Sequence, residues 1–138
     1  MLHISLFDQV VDSLGDLAKQ HGLAISVRGD LDDPRGAAVD LENDTFIISA
    51  TRERDEETIW VHCKVRPRPR AHLRTYYMGA LAAFIEGRTD PYSLRSFADD
   101  AADLLRHEKK ILSDDFLNAE DLRSWLNDAS RRRYGPKK

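Results

Sequence analysis

Leu6, Phe7, Val10, Val11, Leu14, Leu17 and Ala18 recur at the three- and four-residue spacing of one helical stripe. The spacing predicts a helix over about 4–20. Ser5 and Asp8 imitate a capping box at its start, and Gly22 stands where a left-handed stop belongs. The period then shortens to two. "LAISV" (23–27) reads as a strand, and "RGDLDDPRG" as a long polar turn. "AAVDLE" and "TFIISAT" flank Asn43-Asp44. A tight turn on those two residues sets Leu41 opposite Phe46, Val39 opposite Ile48 and Ala37 opposite Ala50, all six on one face. In "ETIWVHCKV", Ile59, Val61, Cys63 and Val65 alternate with Thr58, Trp60, His62 and Lys64. The simplest arrangement is an antiparallel meander in the order 1-2-3-4.

The prolines of "RPRPR" end the last strand, because proline lacks the ladder donor. Leu73, Tyr76, Tyr77, Ala80, Leu81 and Phe84 then predict a helix over about 70–86, stopped by Gly87. Asp90-Pro91 opens a further helix carrying Leu94, Phe97, Ala98, Ala101 and Leu105. Asn118 is placed to cap a last one with Leu122, Trp125, Leu126 and Ala129. The expected fold is α+β: an N-terminal helix, a four-stranded antiparallel meander and three C-terminal helices. It forms one domain over 1–138, with helix and sheet in about 1–65, helices in about 70–133 and a flexible tail at 134–138.

Composition adds an asymmetry of charge. The chain has 138 residues and a net charge of −3. Lys64, Arg66, Arg68, Arg70 and Arg74 form one acid-free basic segment. Arg131, Arg132, Arg133, Lys137 and Lys138 form another. Setting aside those ten leaves 11 basic residues against 24 acidic ones, so the body is strongly acidic. "MLHISLFDQVVDS" lacks the basic lead of a signal peptide, and no apolar run approaches membrane-helix length, so a cytoplasmic address is expected.

The residue pattern lends little support to catalysis. Cys63 is the single cysteine, which leaves no intrachain disulfide or thiolate cage. It should face the core as a small hydrophobe. Its neighbour His62 points to the opposite side, so the two cannot share a metal. The acids at 30–33, 99–100 and 114–115 read as caps and solvated loops. No phosphate-binding glycine loop or nucleophile elbow is present. No cofactor and no metal site is expected.

Two surfaces remain. One is the basic pair of segments, Arg66, Arg68, Arg70 and Arg74 with Arg131, Arg132 and Arg133, as a nucleic-acid contact. The acidic body opposes that reading, and no aromatics interleave with the arginines. The blander reading makes "RPRPR" a stiff connector. The other surface is the second face of the sheet, where Ala24, Ser26, Asp40, Ile47, Ser49, Thr58, Trp60, His62 and Lys64 alternate outward. Trp60 and Ile47, with His62 and the charges of Asp40 and Glu42, make this a candidate docking surface for another protein, one of basic character. Its competing reading is a face covered by helices. A homodimer is compatible with either.

The acidic domain, the meander "AAVDLENDTFIISAT…ETIWVHCKV" and the helical half "YYMGALAAFIEGRTDPYSLRSFADDAADLL" together resemble small bacterial toxin-immunity-type proteins. That resemblance implies tight, non-catalytic neutralisation of a partner, and it transfers no individual binding residue. Small acidic secretion chaperones share the size and the helix-plus-meander start, but place more strand after a central helix. The expectation is therefore a non-enzymatic protein-binding module, of immunity or inhibitor type. Nucleic-acid binding and a secretion-chaperone-like role are the alternatives.

Overall fold

The computed structural model describes residues 6–29, 37–53, 56–64, 75–88, 96–113 and 116–134. Its order is α1 (Leu6–His21), β1 (Ala24–Gly29), β2 (Ala37–Glu42), β3 (Phe46–Glu53), β4 (Glu56–Cys63), β5 (Thr75–Tyr77), α2 (Met78–Glu86), α3 (Phe97–Ile111), a 3-10 turn (Phe116–Asn118) and α4 (Glu120–Tyr134). The strands form one antiparallel sheet in the order β1-β2-β3-β4-β5. The architecture is α+β, as the periodicities require, with one strand more than expected.

The stops behave as glycine chemistry dictates. Gly22 and Gly87 hold φ of 63° and 73°, the left-handed region that a Cβ disfavours. At each, the next residue donates back into the last turn, Leu23 N to Ala18 O at 2.8 Å and Arg88 N to Ala83 O at 2.8 Å. Leu23 is thereby carried into the core. The expected start at Ser5 and that at Asp90 lie outside the described residues. α3 begins instead at Phe97. Ser96 Oγ accepts from Asp99 N at 3.1 Å, and Asp99 Oδ2 accepts from Ser96 N at 3.2 Å. This is the reciprocal box that aspartate completes in place of glutamate. Asn118 closes the 3-10 turn, its Nδ2 lies 3.6 Å from Cys63 Sγ, and α4 starts two residues later at Glu120.

Two expectations about the sheet are corrected. The first concerns β5. Thr75–Tyr77 pairs with β4, so the predicted helix over 70–86 begins only at Met78. A β-branched residue followed by two tyrosines favours the pleated surface. The alternation then buries Tyr76 and leaves Tyr77 half-exposed on the other face. The second concerns the β2–β3 register. Leu41 pairs with Ile48 and Val39 with Ala50, two residues further than a turn on Asn43-Asp44 would give. Asn43 is the cause. Its Oδ1 accepts from the backbone N–H of both Thr45 and Phe46 at 2.8 Å, and its Nδ2 donates to His21 O at 2.9 Å. The side chain thus makes Asn43 the first corner, closed by Asn43 N to Phe46 O at 3.1 Å, and anchors the turn to the end of α1. A slip of two preserves the faces, so Val39, Leu41, Phe46, Ile48 and Ala50 stay inward.

Val39, Leu41, Phe46, Ile48, Ala50, Ile59, Val61, Cys63 and Tyr76 form the inner face of the sheet. They pack with Leu6, Val10, Leu14 and Leu17 of α1, Met78 and Leu81 of α2, Phe97, Leu104 and Ile111 of α3, and Leu122 of α4 in one core. Phe84 links the helical layer further. Its ring lies 6.1 Å from that of Phe116 and 5.4 Å from that of Trp125. Among the described residues no helix is long and apolar enough to cross a membrane.

Candidate functional site

The reverse face of the sheet follows directly from the pairing. Ser26, Asp40, Ser49, Trp60 and Tyr77 form one row across all five strands. Ala24, Glu42, Ile47, His62 and Thr75 form the next. Arg28, Ala38, Thr51 and Thr58 lie on the other side. None of these side chains belongs to the core beneath the helices. Asp40 and the small Ala38 are buried, whereas Ile47, Trp60, His62 and Tyr77 are partly exposed. All five residues singled out from the sequence, Trp60, Ile47, His62, Asp40 and Glu42, therefore lie on one surface. Ile47 sits diagonally across β3–β4 from Trp60, because Ile47 pairs with His62 and Ser49 with Trp60.

The apolar part of this surface has a definite centre. The Trp60 and Tyr77 rings are 5.7 Å apart and tilted by 56°. Trp60 Nε1 donates to Thr58 Oγ1 at 3.0 Å, and Thr58 shares a 2.8 Å hydrogen bond with Thr51. The indole is thus held in place by a hydrogen bond and a ring neighbour, with part of its face left to solvent. His62 Nδ1 lies 3.2 Å from Thr75 Oγ1, flanking the same centre.

The two acids have internal partners. Arg28 forks onto Asp40, through Nε to Oδ2 and through Nη2 to Oδ1 at 3.1 Å, and Ser49 Oγ donates to Oδ1 at 2.6 Å. Burial pushes the Asp40 carboxyl up, but hydrogen bonds from Arg28 and Ser49, with the Arg28 charge, outweigh it and hold the group below the usual carboxylate range. The same hydrogen bond and charge raise the Arg28 pKa. Lys64 Nζ reaches Glu42 Oε2 at 2.7 Å and Asn43 O at 3.1 Å. Asp40 and Glu42 consequently present neutralised pairs, and the exposed carboxylate nearest in sequence is Asp44 in the β2–β3 turn. Sequence reasoning missed Arg28 and Tyr77 and gave Ser49 no role. The alternation already placed Ser49 on this face, but Tyr77 was assigned to a helical stripe.

A second cluster joins α2 to α3. Glu86 Oε2 lies 2.9 Å from His107 Nε2 and 3.3 Å from Arg106 Nη1, and Arg106 also reaches Asp103 Oδ1 at 3.0 Å. The His107 hydrogen bond, with the charges of Arg88, His107 and Arg106, lowers the Glu86 pKa against a smaller opposing effect of burial. Asp100 and Asp103 are fully buried on α3, which corrects the reading of residue 100 as a cap or solvated-loop acid. Asp99 is exposed and serves the cap, as expected. Cys63 is buried on the inner face while His62 faces outward, as alternation requires. Among the described residues no three His, Cys, Asp or Glu side chains group as metal ligands would.

Arg66, Arg68, Arg70 and Arg74, with the connector reading of "RPRPR", lie outside the described residues, as do the acids at 30–33 and 114–115. Arg131, Arg132 and Arg133 fall in the final turns of α4. No protein-family model, no curated protein and no solved structure matches this chain significantly.

Proposed function

We propose that this chain is a non-enzymatic protein-binding module, of immunity or inhibitor type, which docks a partner protein on the reverse face of its sheet. The observation that carries the reading is the Trp60–Tyr77 pair, partly exposed outside the core and flanked by Ile47 and His62. Tryptophan and tyrosine offer large, rigid contact area, and such residues dominate binding when a rim of polar groups excludes water around them. Here the Thr51–Thr58, Arg28–Asp40 and Lys64–Glu42 contacts supply a rim whose polar atoms are already paired. Pre-paired groups lower the desolvation cost of docking.

The test is affinity capture from the source cell with immobilised native protein and with the Trp60→Ala variant, followed by mass spectrometry. A protein held by the native chain and lost by the folded variant is the expected result. Equal capture by both removes Trp60 as the anchor. Once a partner is identified, Trp60→Ala should mainly speed dissociation, while charge reversal at Asp44 should mainly slow association. The rival reading, nucleic acid held by Arg66, Arg68, Arg70, Arg74 and Arg131–Arg133, predicts binding of short duplex or single-stranded probes at low salt that weakens steeply as salt rises.

A further inference from the structure

The core ends abruptly at one edge of the sheet. Val39 and Leu41 of β2 are 0% and 1% exposed, yet their direct partners on β1, Val27 and Ile25, are 43% and 38% exposed on the same face. Among the described residues β1 pairs with β2 alone. The hydrogen-bonding phase of that edge can be derived. Asn43 N donates to Phe46 O, so the pairs 41–48 and 39–50 face each other with their backbone groups. Alternation then directs the groups of Asp40 and Glu42 towards Ser26 and Ala24, and those of Ile25, Val27 and Gly29 away from the sheet. The residues with outward-facing amides and carbonyls are thus the ones that carry the exposed aliphatics.

We infer that β1 pairs antiparallel with β1 of a second copy of this chain, on a two-fold axis through Ser26. An outward row of amides and carbonyls is satisfied by an extended strand, and the exposed valine and isoleucine call for aliphatic side chains on one face of it. β1 meets both requirements itself. Centred on Ser26, Ile25 lies opposite the second copy's Val27, and Val27 opposite its Ile25, so four aliphatics cover one another. Charge disfavours the registers on the Arg28 side of Ser26, and moving the axis towards Ala24 sets Val27 beyond the end of the second copy's β1. The one charged residue of β1 is Arg28, already paired to Asp40. With the axis at Ser26 each Arg28 lies opposite Ala24, and the two arginines are about 14 Å apart along the strand. Moving the axis towards Arg28 brings like charges together. The pairing joins two five-stranded sheets into one of ten strands, with both Trp60 surfaces on the same side. A contact this short falls at the small end of specific interfaces, so the dimer forms in a concentration-dependent manner.

The experiment is sedimentation velocity on the full chain from about 1 μM to about 1 mM, with native protein and Val27→Lys. The native chain should shift from monomer to dimer, while the variant, altered at a solvent-exposed site, should remain a folded monomer by circular dichroism. A native monomer throughout, or a dimer indifferent to Val27→Lys, overturns the inference. Mild oxidation supplies an independent readout. Ser26→Cys should give a disulfide-linked dimer, whereas Ala24→Cys and the native chain, whose Cys63 is buried, should not. Cross-linking through Ala24→Cys in place of Ser26→Cys overturns the proposed axis.

Discussion

The two faces of the sheet are built from the same strands and differ in what each does with its side chains. The inner face carries Ile48, Ile59 and Val61, each at most 1% exposed, and joins every helix of the described chain in one core. The reverse face carries large side chains as well, in Ile47, Trp60 and Tyr77, but sets them among hydrogen bonds and ion pairs at its own surface, one of which ties the Trp60 indole to Thr58. Stability therefore rests on the first face, and the second is the one proposed above for recognition. A side chain can be both bulky and apolar without belonging to a core. What distinguishes the faces among the described residues is that the helices pack on the first.

The largest effect is expected from a truncation on the inner face. Ile59→Ala removes a fully buried branched chain. It should cost about 2–5 kcal/mol in chemical denaturation, the range for aliphatic-to-alanine changes in a core. Next in size is the polar anchor of the reverse face. Asp40→Ala removes a buried acceptor held by Arg28 and Ser49. Because Arg28 is largely solvent-exposed, the cost should be only about 1–2 kcal/mol. Asp40 also has a pH signature. Its folded pKa lies below the unfolded value of about 3.9, so its contribution is complete above that value and is lost as pH falls through it towards the depressed folded one. Asp40→Asn should flatten that part of the acid limb in equilibrium melts.

Trp60→Ala should cost less stability than Ile59→Ala, about 1–2 kcal/mol from the aromatic pair and the indole's partial burial, while abolishing partner capture. A loss of stability as large as that of Ile59→Ala would place Trp60 in the core and dissolve the contrast between the faces. Fluorescence sharpens the same point. In a Trp125→Phe background Trp60 is the remaining tryptophan, and its emission should be quenched by iodide, whereas an inert signal would mean a covered indole. The smallest effect belongs to Val27→Lys. In dilute solution it should alter monomer stability by no more than about 0.5 kcal/mol, as substitutions at exposed sites do.

Much of this was legible in particular residues. The stripe from Leu6 to Ala18, the stops at Gly22 and Gly87 and the alternation through Ile59, Val61 and Cys63 all appear where local chemistry put them. The gathering of Trp60, Ile47, His62, Asp40 and Glu42 on one face was equally readable, since it depends only on parity along the strands and on antiparallel pairing. Thr75–Tyr77 was misread because tyrosine spacing fits a helix and a strand alike until a neighbour offers a ladder. Ser96 was overlooked in favour of Asp90-Pro91, although both resemble helix starts in sequence.

Sequence alone determined which side of each element is apolar, because period and chirality are local properties of the chain. It also determined that helices follow the sheet and that the reverse face holds aromatic and polar residues together. Tertiary structure alone decided the rest: the two-residue slip set by the Asn43 side chain, the fifth strand recruited by β4, and the neutralisation of Asp40 and Glu42 by Arg28 and Lys64. It also decided that the helices gather over Leu41, Ile48 and Val61, leaving Trp60 outside the core. Each of these depends on a partner distant along the chain, and the free energy of meeting that partner cannot be read from spacing.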